Sequence, residues 1–423
     1  MLKTQKITLP NKLRILVTPM KSIDAVTVMI LIRAGSRYET RNINGIAHFL
    51  EHMFFKGGER YPDQRAVATA VDGVGGEFNA FTGDEYVGYY VKVAKEKVGT
   101  AFDVLSDMLM NAKFDKAGLE RERGVILEEY NMYEDTPIRK IWDVFKLLIL
   151  GDHPLGWSTI GLKPVIKQVQ RKNFINYRKK LYTAPNIVVS VAGNITNAQV
   201  KRLVKKYLPY GKAGKKNRPL PHHDTKPSKK NKLVYKKTEQ AHLVVGVPTF
   251  GYSHPDRYTA KILAAVLGNG MSSRLFASVR ERLGLAYYVG ASANTYADTG
   301  FLVAKAGVDV KRIDLAIKTI LNEFREISRE EVAPAELAKA KEFLTGRMIL
   351  DLEDSSEVAI GFGMQELLRD KIEPIEVMKR KIKAVTARQV LNLAKKIFRD
   401  DRLYLTVIGP YKDTKKIKKA FKL

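Results

Sequence analysis

Two histidines and a glutamate fall within five consecutive positions, His48-Phe49-Leu50-Glu51-His52, in a chain with only seven histidines. On a helix, residues four apart share a face, so the imidazoles of His48 and His52 can meet one cation. Glu51 sits one residue before the second histidine, where it can move protons beside the cation without binding it. The stretch "NGIAHFLEHMFF" is expected to be helical, with Asn44 as N-cap and Phe49, Leu50, Met53 and Phe54 as its apolar stripe. Two core histidines with satisfied nitrogens would give the same local pattern. A metal reading needs a third ligand, because catalytic zinc takes three protein ligands and keeps one position open.

The acidic segment "LERERGVILEEYNMYEDTP" (119–137) offers candidates. Glu122 and Glu129 are seven apart and share a helical face. Glu129 follows the apolar "VIL", and a carboxylate on a buried helix is costly unless it is paired or metal-bound. The alternative is a solvated face laced by pairs among Glu120, Arg121, Glu122 and Arg123. Spacing alone leaves both readings open.

Taken together, these residues resemble the inverted-motif zinc peptidases, the pitrilysin, insulysin and mitochondrial processing peptidase group. The match to H-x-x-E-H is residues 48–52. In that family a glutamate 76–77 residues after the second histidine completes the zinc shell. Here 129 − 52 = 77, which selects Glu129 over Glu128. The family's supporting acid seven residues earlier matches Glu122. "GGEFNAFTGDEYVGYY" (75–90) resembles the segment that runs beside bound substrate, with Asn79 and Ala80 in the matching places. "VRERLGLAYYV" (279–289) is similar to an Arg/Tyr pair in the second half, here Arg280 and Tyr287, which would donate hydrogen bonds to a developing oxyanion. The resemblance implies a zinc endopeptidase with one Zn2+ per chain, Glu51 as its base, and a short two-domain form. It further implies that two chains pair as a homodimer around a chamber that admits peptides or unfolded segments.

Positioning these residues requires layered helices and strands. "MLKTQKITLPNKLRILV" reads as a strand, a Pro-Asn-Lys turn and a second strand. "AVTVMILIRAG" (25–35) and "AHLVVGVPTFG" (241–251) read as strands. Residues 97–111, 116–134 and 312–327 carry helical patterns. The predicted fold class is α+β, two homologous layered domains with mixed sheets packed against helices. The Pro- and Lys-rich stretch at 213–232 is the expected linker between domains at 1–212 and 233–423. The halves repeat: "FNAFTGDEYVGYYVKV" (78–93) aligns with "ASANTYADTGFLVAKA" (291–306). Thr82 and Thr295 are 213 apart, Gly88 and Gly300 are 212 apart, and Gly193 and Gly409 are 216 apart. A steady offset of this kind marks a unit used twice. Shifting 48, 51 and 52 by 213 gives Lys261, Ala264 and Ala265, so the second copy is expected to lack the metal motif.

Composition narrows the field. There are no cysteines, so disulfides, thiolate metal sites and a cysteine nucleophile are excluded. No run reaches the ~20 apolar residues of a membrane span, and the first residues lack a signal-peptide core. A cytoplasmic protein is expected. The net charge of +28 is concentrated at 212–237 and 411–423. The few aromatic residues there are not interleaved as a base-stacking groove would require, so a solvated surface is favoured over nucleic acid. The competing reading is a non-catalytic family member acting as a structural or partner subunit, although members of that kind usually lose ligands.

Overall fold

The computed structural model describes residues 2–209, 214–223 and 229–423. Of the expected linker, residues 213 and 224–228 lie outside the described residues. The chain forms two compact units, each assembled from three stretches: 1–131, 157–220 and 349–374 in the first, and 132–156, 221–348 and 375–423 in the second.

The first unit is built on a mixed six-stranded sheet. Its strands are β1 (Gln5–Thr8), β2 (Arg14–Pro19), β3 (Ala25–Ile32), β4 (Glu77–Thr82), β5 (Val87–Ala94) and β6 (Ile187–Gly193), in the order β1-β2-β6-β3-β5-β4. β2 and β6 pair in parallel and the other neighbours are antiparallel. β3 is central and covered on both faces, which explains why it reads as a continuous apolar run rather than an alternating one. The helix pattern starting at 97 forms α2 (Val98–Met110), and it packs on β3 and β5. A helix encoded far downstream, α7 (Ser355–Arg369), packs on β3 and β6. Thr27 Oγ1 lies 2.8 Å from Ser355 Oγ, and Ser190 donates to the Ala359 carbonyl at 2.7 Å. Gly363 sits where a Cβ would come within 2.4 Å of Leu31. At the end of α7, Glu366 accepts from the buried Arg14 guanidinium of β2. Part of the expected linker is itself fastened to this unit. The Asn217 amide donates to Asn186 Oδ1 at 2.6 Å, and Arg37, itself buried, donates to the Leu220 carbonyl at 2.7 Å.

The second unit repeats the plan. Its strands are β7 (Asn231–Tyr235), β8 (Gln240–Pro248), β9 (Ala286–Thr295), β10 (Gly300–Asp309) and β11 (Tyr404–Gly409), ordered β7-β11-β8-β10-β9. Matching β2, β6, β3, β5 and β4 to these in turn gives the same order. β4/β5 and β9/β10 are the segments aligned by the sequence offset. Side chains of β8 alternate between two cores. Leu243, Val245 and Val247 join α5 (Arg257–Gly268) and α6 (Ile313–Ile327). Val244 joins Phe145 and Ile149 of α4 (Pro137–Leu150), a helix encoded between Gly88 and Gly193 of the first half. Phe145 meets Phe301 edge-on at 5.6 Å, and a fully buried Phe of this kind stabilises by about 1.5–3 kcal/mol. Each sheet therefore takes one covering helix from the other half's stretch of sequence. The architecture is α+β with two similar domains. Among the described residues, no helix is long and apolar enough to cross a membrane.

Candidate metal centre

The H-x-x-E-H stretch is helical and forms α1 (Ile46–Phe54). Its buried residues are Ile46, Ala47, Phe49, Leu50, Met53 and Phe54. Phe49 meets Phe174 at 4.9 Å, and Phe54 packs between Tyr89 and Tyr182. These contacts set the rotation of the helix about its axis, which leaves His48 and His52 on another side. The expected N-cap does not form. Gly45, at φ 96°, is the capping residue, and Asn44 stands behind it. The helix amides are instead received by Glu39, which accepts from Gly45 N and Ala47 N at 2.8 Å and from Asn44 Nδ2 at 2.9 Å. Burial pushes the Glu39 carboxyl up to about 7 against these hydrogen bonds. A side chain at Gly45 would be strained at this φ, and its Cβ would lie 2.5 Å from the Ile160 carbonyl oxygen.

The acidic segment forms α3 (Lys116–Asp135), with Leu119, Glu122 and Ile126 buried along one face. Glu129 continues that face. Its Oε2 lies 3.6 Å from His48 Nε2 and 3.5 Å from His52 Nε2, and the imidazole centroids are 4.7 Å apart. Tetrahedral ligands at about 2.0–2.1 Å from a zinc ion stand about 3.3 Å from one another. Among the described residues this is the one group of three or more potential ligands within 4.8 Å. A borderline-soft cation matches two imidazole nitrogens and a carboxylate. Glu128 is not part of the group.

The two imidazoles differ in their electrostatics. Burial, then the neighbouring His52, pulls His48 down to about 3, so its imidazole is neutral, as a ligand must be. Its Nδ1 is buried without a hydrogen-bond partner among the described residues. His52 is arranged differently. Its Nδ1 lies 2.8 Å from Glu122 Oε1, which fixes Nε2 as the nitrogen turned toward Glu129. Burial opposes charge on His52, but Glu122, then Glu129 and Glu51, hold its pKa above the ordinary value. Burial likewise opposes ionisation of Glu122. The hydrogen bonds from His52 and Lys56 outweigh it and leave the carboxyl below its usual range. Lys56 Nζ is 2.5 Å from Glu122 Oε2. Its spacing of four from His52 was available in the sequence as a signal, and sequence reasoning passed over it. Glu39, thirteen residues before His52, left no such signal.

Glu51 points to a different neighbour. Its Oε2 accepts from the Thr82 hydroxyl of β4. Burial raises its pKa, with Thr82 and His52 pulling the other way. β4 is the open edge of the first sheet, and Asn79 and Ala80 lie on it. The Ala80 amide donates to Asn79 Oδ1 at 2.8 Å. In the second unit, Arg280 lies in a π-helical turn (Phe276–Arg282) and Tyr287 near the start of β9, with Tyr287 75% exposed. The guanidinium carbon is 5.9 Å from the Tyr287 ring centroid. The positions matching the motif in this unit, Lys261, Ala264 and Ala265, lie on α5, where the two alanines are core residues.

Replacing Glu122 by Gln removes the charge that orients His52 and leaves Lys56 without its anion. Zinc affinity is expected to fall by about 10–100-fold, read by competition with a chromophoric chelator. Unchanged affinity would deny Glu122 this role.

Comparison with known proteins follows the same lines. Residues 14–148 match the family model described as insulinase (peptidase family M16), and residues 168–344 match the peptidase M16 inactive domain. The chain is 35% identical over 410 residues to the uncharacterized zinc protease YmxG of Bacillus subtilis, covering 96% of this chain and 98% of that one. It is 33% identical to an uncharacterized zinc protease of Streptomyces coelicolor, covering 97% and 90%. In fold it is similar to a protease from Helicobacter pylori, with TM-score 0.89, 22% identity and coverage of 97% and 100%. It is also similar to a chain of complex III2 from Candida albicans, with TM-score 0.86, 18% identity and full coverage of both. With both halves matched by the family's models and relatives aligned end to end, the chain belongs to the insulinase family of zinc proteases, peptidase family M16, in a short two-domain form.

Proposed function

We propose that this protein is a zinc-dependent endopeptidase that cleaves peptides or unfolded segments of polypeptide. The observation that carries the reading is the meeting of His48 Nε2, His52 Nε2 and a Glu129 oxygen, with Glu51 and Glu122 beside them. His48, His52 and Glu129 would hold one Zn2+ per chain. When bound, the ion supplies Lewis acidity at the scissile carbonyl and lowers the pKa of water from ~15.7 toward ~7. Glu51 takes the proton from the attacking water and returns it to the leaving amine nitrogen. Glu122 keeps the His52 Nδ1–H in place, so Nε2 stays the donor atom.

Substrate adds as a further strand at the open edge of β4, where Asn79 and Ala80 meet its backbone. The Asn79 carboxamide, which covers the Ala80 amide, turns away as the peptide pairs. Arg280 and Tyr287 act as hydrogen-bond donors to the developing oxyanion. Two chains form the working homodimer, and their enclosure favours unfolded segments over folded proteins. A fully active species sedimenting at the mass of one chain would contradict the dimer. The match of residues 168–344 to the peptidase M16 inactive domain supports a second reading, a non-catalytic subunit. The intact set of His48, Glu51, His52 and Glu129 favours catalysis over it.

Glu51→Gln separates base from ligand. It is expected to retain zinc by elemental analysis while kcat on a peptide library falls by about 10²–10⁴-fold. Hydrolysis at the wild-type rate would remove Glu51 from the mechanism. Wild-type protein that shows no chelator-sensitive cleavage would favour the non-catalytic reading.

A further inference from the structure

We propose that Thr82 is a positioning residue for the Glu51 carboxylate, and that it couples this carboxylate to the strand on which substrate is read. The inference rests on Glu51 being the base. Among the described residues, the Thr82 hydroxyl is the one hydrogen-bond partner of Glu51. The terminal torsion of a glutamate is broad, so a carboxylate with no donor samples many orientations. One hydroxyl on Oε2 selects among them and leaves Oε1 to take and return the proton.

The register of β4 makes this contact possible. Side chains alternate along a strand, so Phe78, Ala80 and Thr82 share a face. That face is turned to α1, because the Phe78 ring stands 5.7 Å from Phe55. Phe81 occupies the opposite face, where a Cβ on Gly88 would come within 2.2 Å of its ring. Glu51 on α1 and Phe55 at its C-cap are four apart and both meet β4, whereas His48 and His52 are turned toward Glu129 on α3. The helix thus divides its chemistry, with the ion ligands facing α3 and the proton carrier facing β4. Thr82 is two residues from Ala80, on the same open-edged strand. A peptide that pairs with β4 holds the backbone that carries this hydroxyl, so strand addition also fixes the base.

The test uses full-length protein and three forms of residue 82. Thr82→Val keeps the shape and removes the donor, and Thr82→Ser keeps the donor. Thr82→Val is expected to lower kcat by about 10–100-fold, with KM changed by less than about twofold and zinc content unchanged. Thr82→Ser is expected to restore most of the rate. A valine variant with wild-type kcat overturns the inference. So does zinc loss in that variant, or an equal loss of rate in the serine form, since either assigns Thr82 a structural role. These outcomes presuppose an active wild type. If the wild type shows no chelator-sensitive cleavage, the reading of Glu51 as base fails, and this inference falls with it.

Discussion

The approach of one Glu129 oxygen to both imidazole Nε2 atoms is the interaction around which the polar site of the first unit is arranged. Ionisable groups removed from water are costly unless something compensates them. Here His48 is held neutral, Glu122 is paired with His52 and Lys56, and Glu51 has, among the described residues, a single hydroxyl donor. Nothing on this face contributes to the apolar core. Its stability comes from behind, from Phe49 and Phe54 of α1 and from Leu119 and Ile126 of α3. The apolar side of each helix fixes its rotation, and the polar side is thereby aimed.

The second unit shows how separable scaffold and chemistry are. It keeps the strand order of the first, yet α5 carries Lys261, Ala264 and Ala265 where α1 carries His48, Glu51 and His52. With no polar face to preserve, α5 is almost wholly buried, its alanines packed into the core. The same layered plan thus carries the His48, His52 and Glu129 cluster in one copy and apolar packing in the other. The fold does not dictate the site. The exchange of covering helices, α4 to the second sheet and α7 to the first, means that neither sheet is fully covered by its own uninterrupted half of the sequence.

Much of this was legible in the sequence, for identifiable reasons. Residues four apart on a helix must share a face, so the alignment of His48 and His52 followed from spacing. The strands at 25–32 and 240–248 announced themselves as β-branched apolar runs. The family distance of 77 residues singled out Glu129, where spacing alone did not. What was not legible depends on contacts distant in sequence. Glu39 replaces the expected Asn44 cap because Gly45 adopts a left-handed conformation against the Ile160–Gly161 backbone. The exchange of α4 and α7 leaves no local pattern, since an amphipathic helix does not specify which sheet it will cover. Thr82 entered the sequence reading only as a marker of the repeat. Its hydroxyl matters because β4 happens to run beside Glu51.

The central claim is that His48, His52 and Glu129 converge on a single divalent cation. It is tested most directly by anomalous diffraction at the zinc absorption edge from crystals of the zinc-loaded protein. The account predicts one strong peak per chain, about 2.0–2.2 Å from both Nε2 atoms and from a Glu129 oxygen. A peak held by other side chains, or none between these three, would contradict it.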